Sequence, residues 1–177
     1  MHKILKNRSK TLKKKSRKNV RTLDVNGTIG DPVVDKKLTN VIFDQYIKDS
    51  LNRKDNFLTR EELVKQAPLL FREVLRFLRI KVYTKSNYSP PSVIVDYMWH
   101  AFVLCTETYI EFCMVENNGK MIHHNPGLYV AGTEESERSY ENGLVLYTRL
   151  YKSDPPQEFW PRYKHTNDLI QASLHPK

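Results

Sequence analysis

Cysteine is scarce in this chain, and its spacing limits the chemistry that the thiols can do. The two cysteines, Cys105 and Cys113, are eight residues apart in a stretch with the pattern of a single helix. Eight helical residues span about 12 Å, whereas a disulfide needs Cα atoms within about 7 Å. We therefore expect two free thiols, and free thiols favour an intracellular, reducing compartment.

Acidic residues are missing from the N-terminal segment. Residues 1–21 contain ten Lys and Arg side chains and no Asp or Glu. The remainder has 19 basic and 20 acidic residues, so the net charge of +9 resides in this segment. The segment has no apolar core of a signal peptide, and no apolar run approaches the roughly 18 residues that a membrane span needs. We expect neither a signal peptide nor a membrane span.

Several common functional motifs are also absent from the sequence. There is no Walker-type phosphate loop, no dinucleotide-binding fingerprint, no nucleophile elbow and no paired-cysteine zinc motif. Their absence argues against nucleotide-dependent enzymes and the common hydrolases. No internal repeat and no run of alternating strands is visible, which argues against repeat and all-β architectures.

The distribution of apolar residues predicts an all-α protein with two regions. Residues 1–35 are predicted to form a disordered basic tail and linker, because like charges repel and little apolar surface offsets the cost of ordering. Residues 36–177 are predicted to be a single helical domain, a compact bundle of about five helices. The helical segments are expected over 36–52, from the Thr59–Glu62 capping box, from Pro68 as the first turn of a new helix, over 92–115, from the Thr133 cap, and near 166–174.

The candidate metal-binding or catalytic residues lie between residues 96 and 127. Asp96 and His100 are four residues apart, so on a helix their side chains face the same way. His123 and His124 follow the helix stop at 117–119, in a His-His-Asn-Pro loop. If this loop folds back onto the helix, three or four N and O ligands converge, which suits Zn²⁺ or another borderline metal.

Two metal-free interpretations of the same residues stay open. In one, Asp96 accepts the Nδ1–H of His100 and sets its tautomer, which makes His100 a candidate general base. In the other, the imidazoles belong to a structural hydrogen-bond network and cap a turn. Cys113, the tyrosines and Trp160 are predicted to be core residues.

Uncommon residues recur in a fixed order from residue 96 to residue 161. They are Asp96, Trp99-His100, Leu104, Tyr109, Cys113, Gly119 and His123-His124-Asn125-Pro126, followed by Tyr140, Tyr147-Thr148, Tyr151 and Trp160-Pro161. This order resembles the glycine-rich domain-containing protein-like family over about residues 36–165. Many relatives carry a second His two positions after the first, where this chain has Phe102, so one potential ligand is missing. The resemblance implies a helical domain and brings no established reaction with it.

The basic tail has a dense cationic block. It consists of Lys13, Lys14, Lys15, Arg17 and Lys18. Such a block neutralises phosphates and releases counterions, which predicts salt-dependent, sequence-independent binding to nucleic acid or another polyanion. A nuclear-import signal, contact with anionic lipid or an acidic protein, and a purely solubilising role are the alternatives.

Two functional hypotheses follow, and whether the protein is an enzyme stays open. The first is a non-enzymatic interaction protein, whose helical domain binds a protein partner while the tail binds nucleic acid or another polyanion. Such a protein suits a nuclear complex, a nucleoprotein assembly or a virion. The second is a metal-dependent or His-based enzyme that uses Asp96, His100, His123 and His124, with Zn²⁺ as its cofactor.

Overall fold

The computed structural model describes residues 36–84, 91–125 and 133–162, and all regular secondary structure in these ranges is helical. The five helices are α1 (Lys36–Leu51), α2 (Arg60–Thr84), α3 (Val93–Leu104), α4 (Thr106–Glu116) and α5 (Glu134–Tyr151). The predicted all-α class with about five helices is thus confirmed. The basic tail and the helix expected near 166–174 lie outside the described residues.

The long helix α2 packs against α1, α3 and α5, and α3 also packs against α1 and α4. Aromatic side chains fill the space between the helices in edge-to-face contacts. The ring of Phe102 lies 5.1 Å from that of Phe71 and 5.0 Å from that of Tyr109, measured between centroids. Phe102 is fully buried and belongs to the core.

Helix α2 contradicts the expected interruption at Pro68. The Thr59–Glu62 capping box forms: the Thr59 N–H donates to Glu62 Oε2 at 2.8 Å, and the Glu62 N–H donates to Thr59 Oγ1 at 3.3 Å. The helix that starts there continues through Pro68 to Thr84. Proline removes one helical donor, and its ring crowds the carbonyl of residue i−4, which here is Val64. Val64, whose carbonyl would have received that hydrogen bond, is exposed, as is Pro68, so water can serve the oxygen.

The predicted helix over 92–115 is in fact two helices, with a break at Cys105. Cys105 has ψ 61°, outside the helical range, and its N–H donates to the carbonyls of Ala101 and Phe102. The break lets Trp99 Nε1 reach the Tyr109 hydroxyl at 3.2 Å. In one straight helix these residues would be about 15 Å apart along the axis. Both cysteines are free thiols, as predicted.

The chain reverses after α4 at the expected Asn-Asn-Gly sequence. Asn118 and Gly119 have φ of 53° and 84°, a left-handed conformation that favours glycine. The Gly119 N–H donates to the Met114 carbonyl at 3.1 Å. The turn sends residues 120–125 back along α4 towards α3. The Thr133 cap of α5 also forms, because its side chain accepts the Ser136 N–H.

Two buried carboxylates tie α2 to other elements. Glu73 is fully buried and accepts hydrogen bonds from the Tyr147 hydroxyl at 2.7 Å and from Trp160 Nε1 at 3.1 Å. Glu116, at the end of α4, forms a buried bidentate ion pair with Arg79, with Nη2–Oε2 at 2.7 Å. Tyr147, Trp160 and Cys113 are core residues, as predicted. None of the helices in the described ranges is long and apolar enough to cross a membrane.

Candidate metal centre

Helix α3 presents Asp96 and His100 on one face, one turn apart. The helix starts at Ser92, whose side chain accepts the Val95 N–H, and Asp96 lies in the first turn. Asp96 Oδ2 lies 3.4 Å from His100 Nε2, and the two side chains are 32% and 48% exposed. The predicted i, i+4 juxtaposition is therefore present, and solvent reaches it.

His124 joins this pair from the segment that returns after Gly119. Its Nε2 lies 2.9 Å from Asp96 Oδ1, and its side chain is only 12% exposed. The His124 ring packs against Trp99, with centroids 4.2 Å apart, and against His100, with centroids 4.4 Å apart. The carboxylate of Asp96 thus lies between two imidazoles, with one oxygen directed at each.

The three side chains satisfy the distance requirement for a shared ion. One ligand atom from each of Asp96, His100 and His124 lies within 4.8 Å of the other two. Zn²⁺ binds nitrogen and carboxylate oxygen at about 2.0–2.2 Å, so ligands of a tetrahedral ion are about 3.4 Å apart. Small side-chain adjustments would bring these atoms to that spacing.

His123, the fourth predicted ligand, is not part of this group. Burial alternates along the returning segment: Ile122 is buried and His124 is largely buried, whereas His123 is exposed. Neighbouring side chains in an extended segment project to opposite sides. Only one member of the His pair can therefore face Asp96.

The tautomer predicted for His100 differs from the observed geometry. Its Nε2, not its Nδ1, is directed at Asp96. An ionised carboxylate only accepts hydrogen bonds, so His124 Nε2, which forms a hydrogen bond with Asp96 Oδ1, is the donor when no metal is present. For a metal to bind through Nε2, the proton must leave that nitrogen, and a neutral ring then carries it on Nδ1.

Lys81 lies beside Trp99, and sequence analysis did not single it out. Its Nζ is 5.3 Å from the Phe77 ring centroid and 5.7 Å from that of Trp99. Burial lowers the pKa of Lys81. One indication of this position was present in the sequence: Lys81 lies four residues after Phe77, on an otherwise apolar face of the helix. The buried charges Glu73, Arg79 and Glu116 were likewise not singled out from the sequence.

The fold and this ligand set together define a helical protein with a candidate centre of two histidines and one carboxylate. The chain belongs to the UCP032817-like family, whose model matches residues 35–144. The match includes α1 to α4 and all three residues of the centre. No curated protein matches the chain, and no solved structure does.

These findings leave two predictions without support. The matched family does not carry the name of the glycine-rich domain-containing proteins, so that finer resemblance stays a prediction. The basic block of Lys13, Lys14, Lys15, Arg17 and Lys18 lies outside the described residues, and its partner stays a prediction as well.

Proposed function

We propose that this protein binds a divalent transition metal, with Zn²⁺ as the first candidate, through Asp96, His100 and His124. The observation that carries the proposal is the convergence of three ligand atoms within 4.8 Å. Two of them lie on α3, and the third comes from a segment 24 residues further along the chain than His100. Imidazole and carboxylate together are a donor set that suits zinc and other borderline metals.

The exposure of the ligands favours a reactive centre over a structural one. Structural zinc sites use four protein ligands, whereas catalytic sites use three and keep one position for water or substrate. Here three ligands converge, and His100 is about half exposed. A bound Zn²⁺ would supply Lewis-acid chemistry, polarising a carbonyl or phosphoryl oxygen and lowering the pKa of a bound water.

The direct test is metal stoichiometry and affinity in the purified full-length chain. After dialysis against Zn²⁺, we expect one ion per chain, and Co²⁺ should produce visible absorption bands as it binds. His100→Ala and His124→Ala each remove a ligand. Each should weaken binding by more than the roughly 10- to 100-fold that loss of an outer-shell partner costs.

The neighbouring histidine supplies a matched control. His123→Ala removes the same imidazole from an exposed side chain one residue away, so the affinity should stay at its wild-type value. A wild-type protein without stoichiometric metal would contradict the proposal. Equal losses in His123→Ala and His124→Ala would also contradict it, because binding would then not depend on the observed geometry.

We propose, as a second function, that the basic tail binds nucleic acid or another polyanion while the helical domain contacts a protein partner. The supporting observation is the separation of charge: ten basic and no acidic residues in 1–21, against a near-neutral remainder. Such a protein would serve a nucleoprotein or virion-like assembly. It does not exclude the metal centre, because the two use different parts of the chain.

The tail hypothesis is tested by the salt dependence of binding to duplex DNA. Replacing Lys13, Lys14, Lys15, Arg17 and Lys18 with Gln should weaken binding. The slope of log K against log salt should become shallower, by about 0.9 for each phosphate that the variant no longer neutralises. Helix content, followed by circular dichroism, should not change. Binding with an unchanged slope in this variant would refute the hypothesis.

A further inference from the structure

Helix α4 holds the backbone of Ile122 through Tyr109. The Tyr109 hydroxyl donates a hydrogen bond to the Ile122 carbonyl. The Tyr109 side chain is buried, so water does not compete for this bond.

The same hydroxyl links this backbone contact to α3. Trp99 Nε1 donates to the Tyr109 oxygen at 3.2 Å, so the hydroxyl accepts from one side and donates to the other. Burial raises the pKa of Tyr109, which keeps the donating proton in place. Trp99 in turn packs against the His124 ring and is the immediate neighbour of His100. The contacts thus run from α4 through Trp99 to His124.

We infer that Tyr109 is a positioning residue that holds Ile122 and thereby sets the place of His124 against Asp96. Two extended residues span at most about 7 Å, so fixing Ile122 confines His124 to the vicinity of α3. Tyr109 is not one of the three proposed ligands. The inference rests on the proposed metal site, but the hold on Ile122 can be measured without metal.

The first experiment follows hydrogen exchange in the metal-free protein. Tyr109→Phe keeps the ring and removes both hydrogen bonds, so residues 117–125 should exchange roughly 3- to 10-fold faster. Tyr140→Phe, on α5, is the matched control, because its buried hydroxyl donates to the Pro161 carbonyl at 2.9 Å instead. That variant should leave exchange in 117–125 unchanged.

The second experiment measures Co²⁺ affinity in the same variants. Tyr109→Phe removes hydrogen bonds whose net contribution is modest, so it should weaken Co²⁺ binding roughly 3- to 10-fold. Tyr140→Phe should bind as the wild-type protein does.

The outcomes distinguish this inference from the proposed function. If Tyr109→Phe leaves exchange in 117–125 at the wild-type rate, the hold on Ile122 is refuted. If exchange rises but the wild-type protein binds no Co²⁺, the metal site is refuted while the hold stands. If the wild-type protein binds Co²⁺ and Tyr109→Phe binds it equally well, the positioning role is refuted.

Discussion

At the scale of single residues, the most consequential side chains away from the candidate metal centre are buried charges. Glu73 has no solvent-accessible surface, yet its carboxylate meets the Tyr147 hydroxyl, Trp160 Nε1 and, at 3.4 Å, Arg76 Nη1. Arg76 also donates to the Tyr147 hydroxyl at 2.6 Å. Removing one member of such a buried group leaves the polar atoms of the other members without their hydrogen-bond or ion-pair partner.

Glu73→Ala is therefore expected to lower the free energy of unfolding by about 3–5 kcal/mol. The loss arises because Tyr147, Trp160 and Arg76 keep their polar atoms in the interior without the acceptor. Urea denaturation followed by circular dichroism measures it. Lys65→Ala, on the exposed side of the same helix, should change the free energy by less than about 0.5 kcal/mol. Similar values for both variants would show that the buried network does not stabilise the fold.

At the scale of secondary-structure elements, helix ends decide how the elements join. The Ser92 side chain accepts the Val95 N–H at 3.1 Å and donates to the Phe159 carbonyl, so one hydroxyl caps α3 and attaches the turn after α5. Thr133 caps α5 in the same way, but it is exposed. Ser92 is thus a buried cap with a second hydrogen bond, to the Phe159 carbonyl, whereas Thr133 is an exposed cap.

Ser92→Ala should cost more stability than Thr133→Ala. Loss of an exposed cap costs about 1 kcal/mol. Ser92→Ala in addition leaves the buried Phe159 carbonyl without its donor, which adds about 1–3 kcal/mol. Paired urea midpoints of the two variants give the comparison. Equal losses would mean that the bond to Phe159 does not contribute.

The boundaries of the elements also show where local sequence patterns are insufficient. The Thr59–Glu62 box, the Asn-Asn-Gly stop and the Thr133 cap were predictable, because each depends on residues within four positions of one another. The break at Cys105 was not predictable, because no Gly or Pro marks it. The break accompanies the hydrogen bond between Trp99 and Tyr109, which forms only in the packed structure. At Pro68 the error was the reverse: a break was predicted there, and the helix continues.

At the scale of the whole molecule, the interior is rich in tyrosine whose hydroxyls are hydrogen-bonded. Tyr109, Tyr140 and Tyr147 are all buried, and burial is the main reason why their pKa values rise above that of a free tyrosine. For Tyr147, the hydrogen bond to Glu73 raises the pKa further. The folded protein therefore retains these three protons at a pH where an unfolded chain loses them.

The stability of the protein should consequently fall in alkali. Below about pH 10, both the folded and the unfolded chain keep the tyrosine protons, so these groups add no pH dependence. Above that pH, the unfolded chain binds fewer protons than the folded one, so the free energy of unfolding falls with pH. The slope is about 1.4 kcal/mol per pH unit for each tyrosine.

Urea midpoints between pH 8 and pH 11, with tyrosinate absorbance recorded in parallel, measure this effect. Tyr140→Phe should make the slope of the free energy against pH shallower by about 1.4 kcal/mol per pH unit, the contribution of one tyrosine. A midpoint that stays constant up to pH 11 would show that these hydroxyls ionise as easily in the folded chain as in the unfolded one.

The candidate centre was predictable in part. The i, i+4 spacing of Asp96 and His100 is a local property of a helix, so it could be derived from the sequence. The return of the His-His segment depended on contacts over longer range. His123 does not join the group, since two adjacent histidines are equivalent in a sequence but not beside a packed surface. Tyr109 was recognised as part of a pattern, while its contact with Ile122 was not.

The sequence by itself determined the helical class, the shared face of Asp96 and His100, and the reversal at Gly119, because each follows from spacing and backbone preference over a few residues. Only the tertiary structure decided which histidine joins Asp96. In an extended segment, a shift of one residue turns each side chain to the opposite side. In the observed register, the Ile122 carbonyl accepts a hydrogen bond from the Tyr109 hydroxyl, and His124, rather than His123, lies beside the carboxylate.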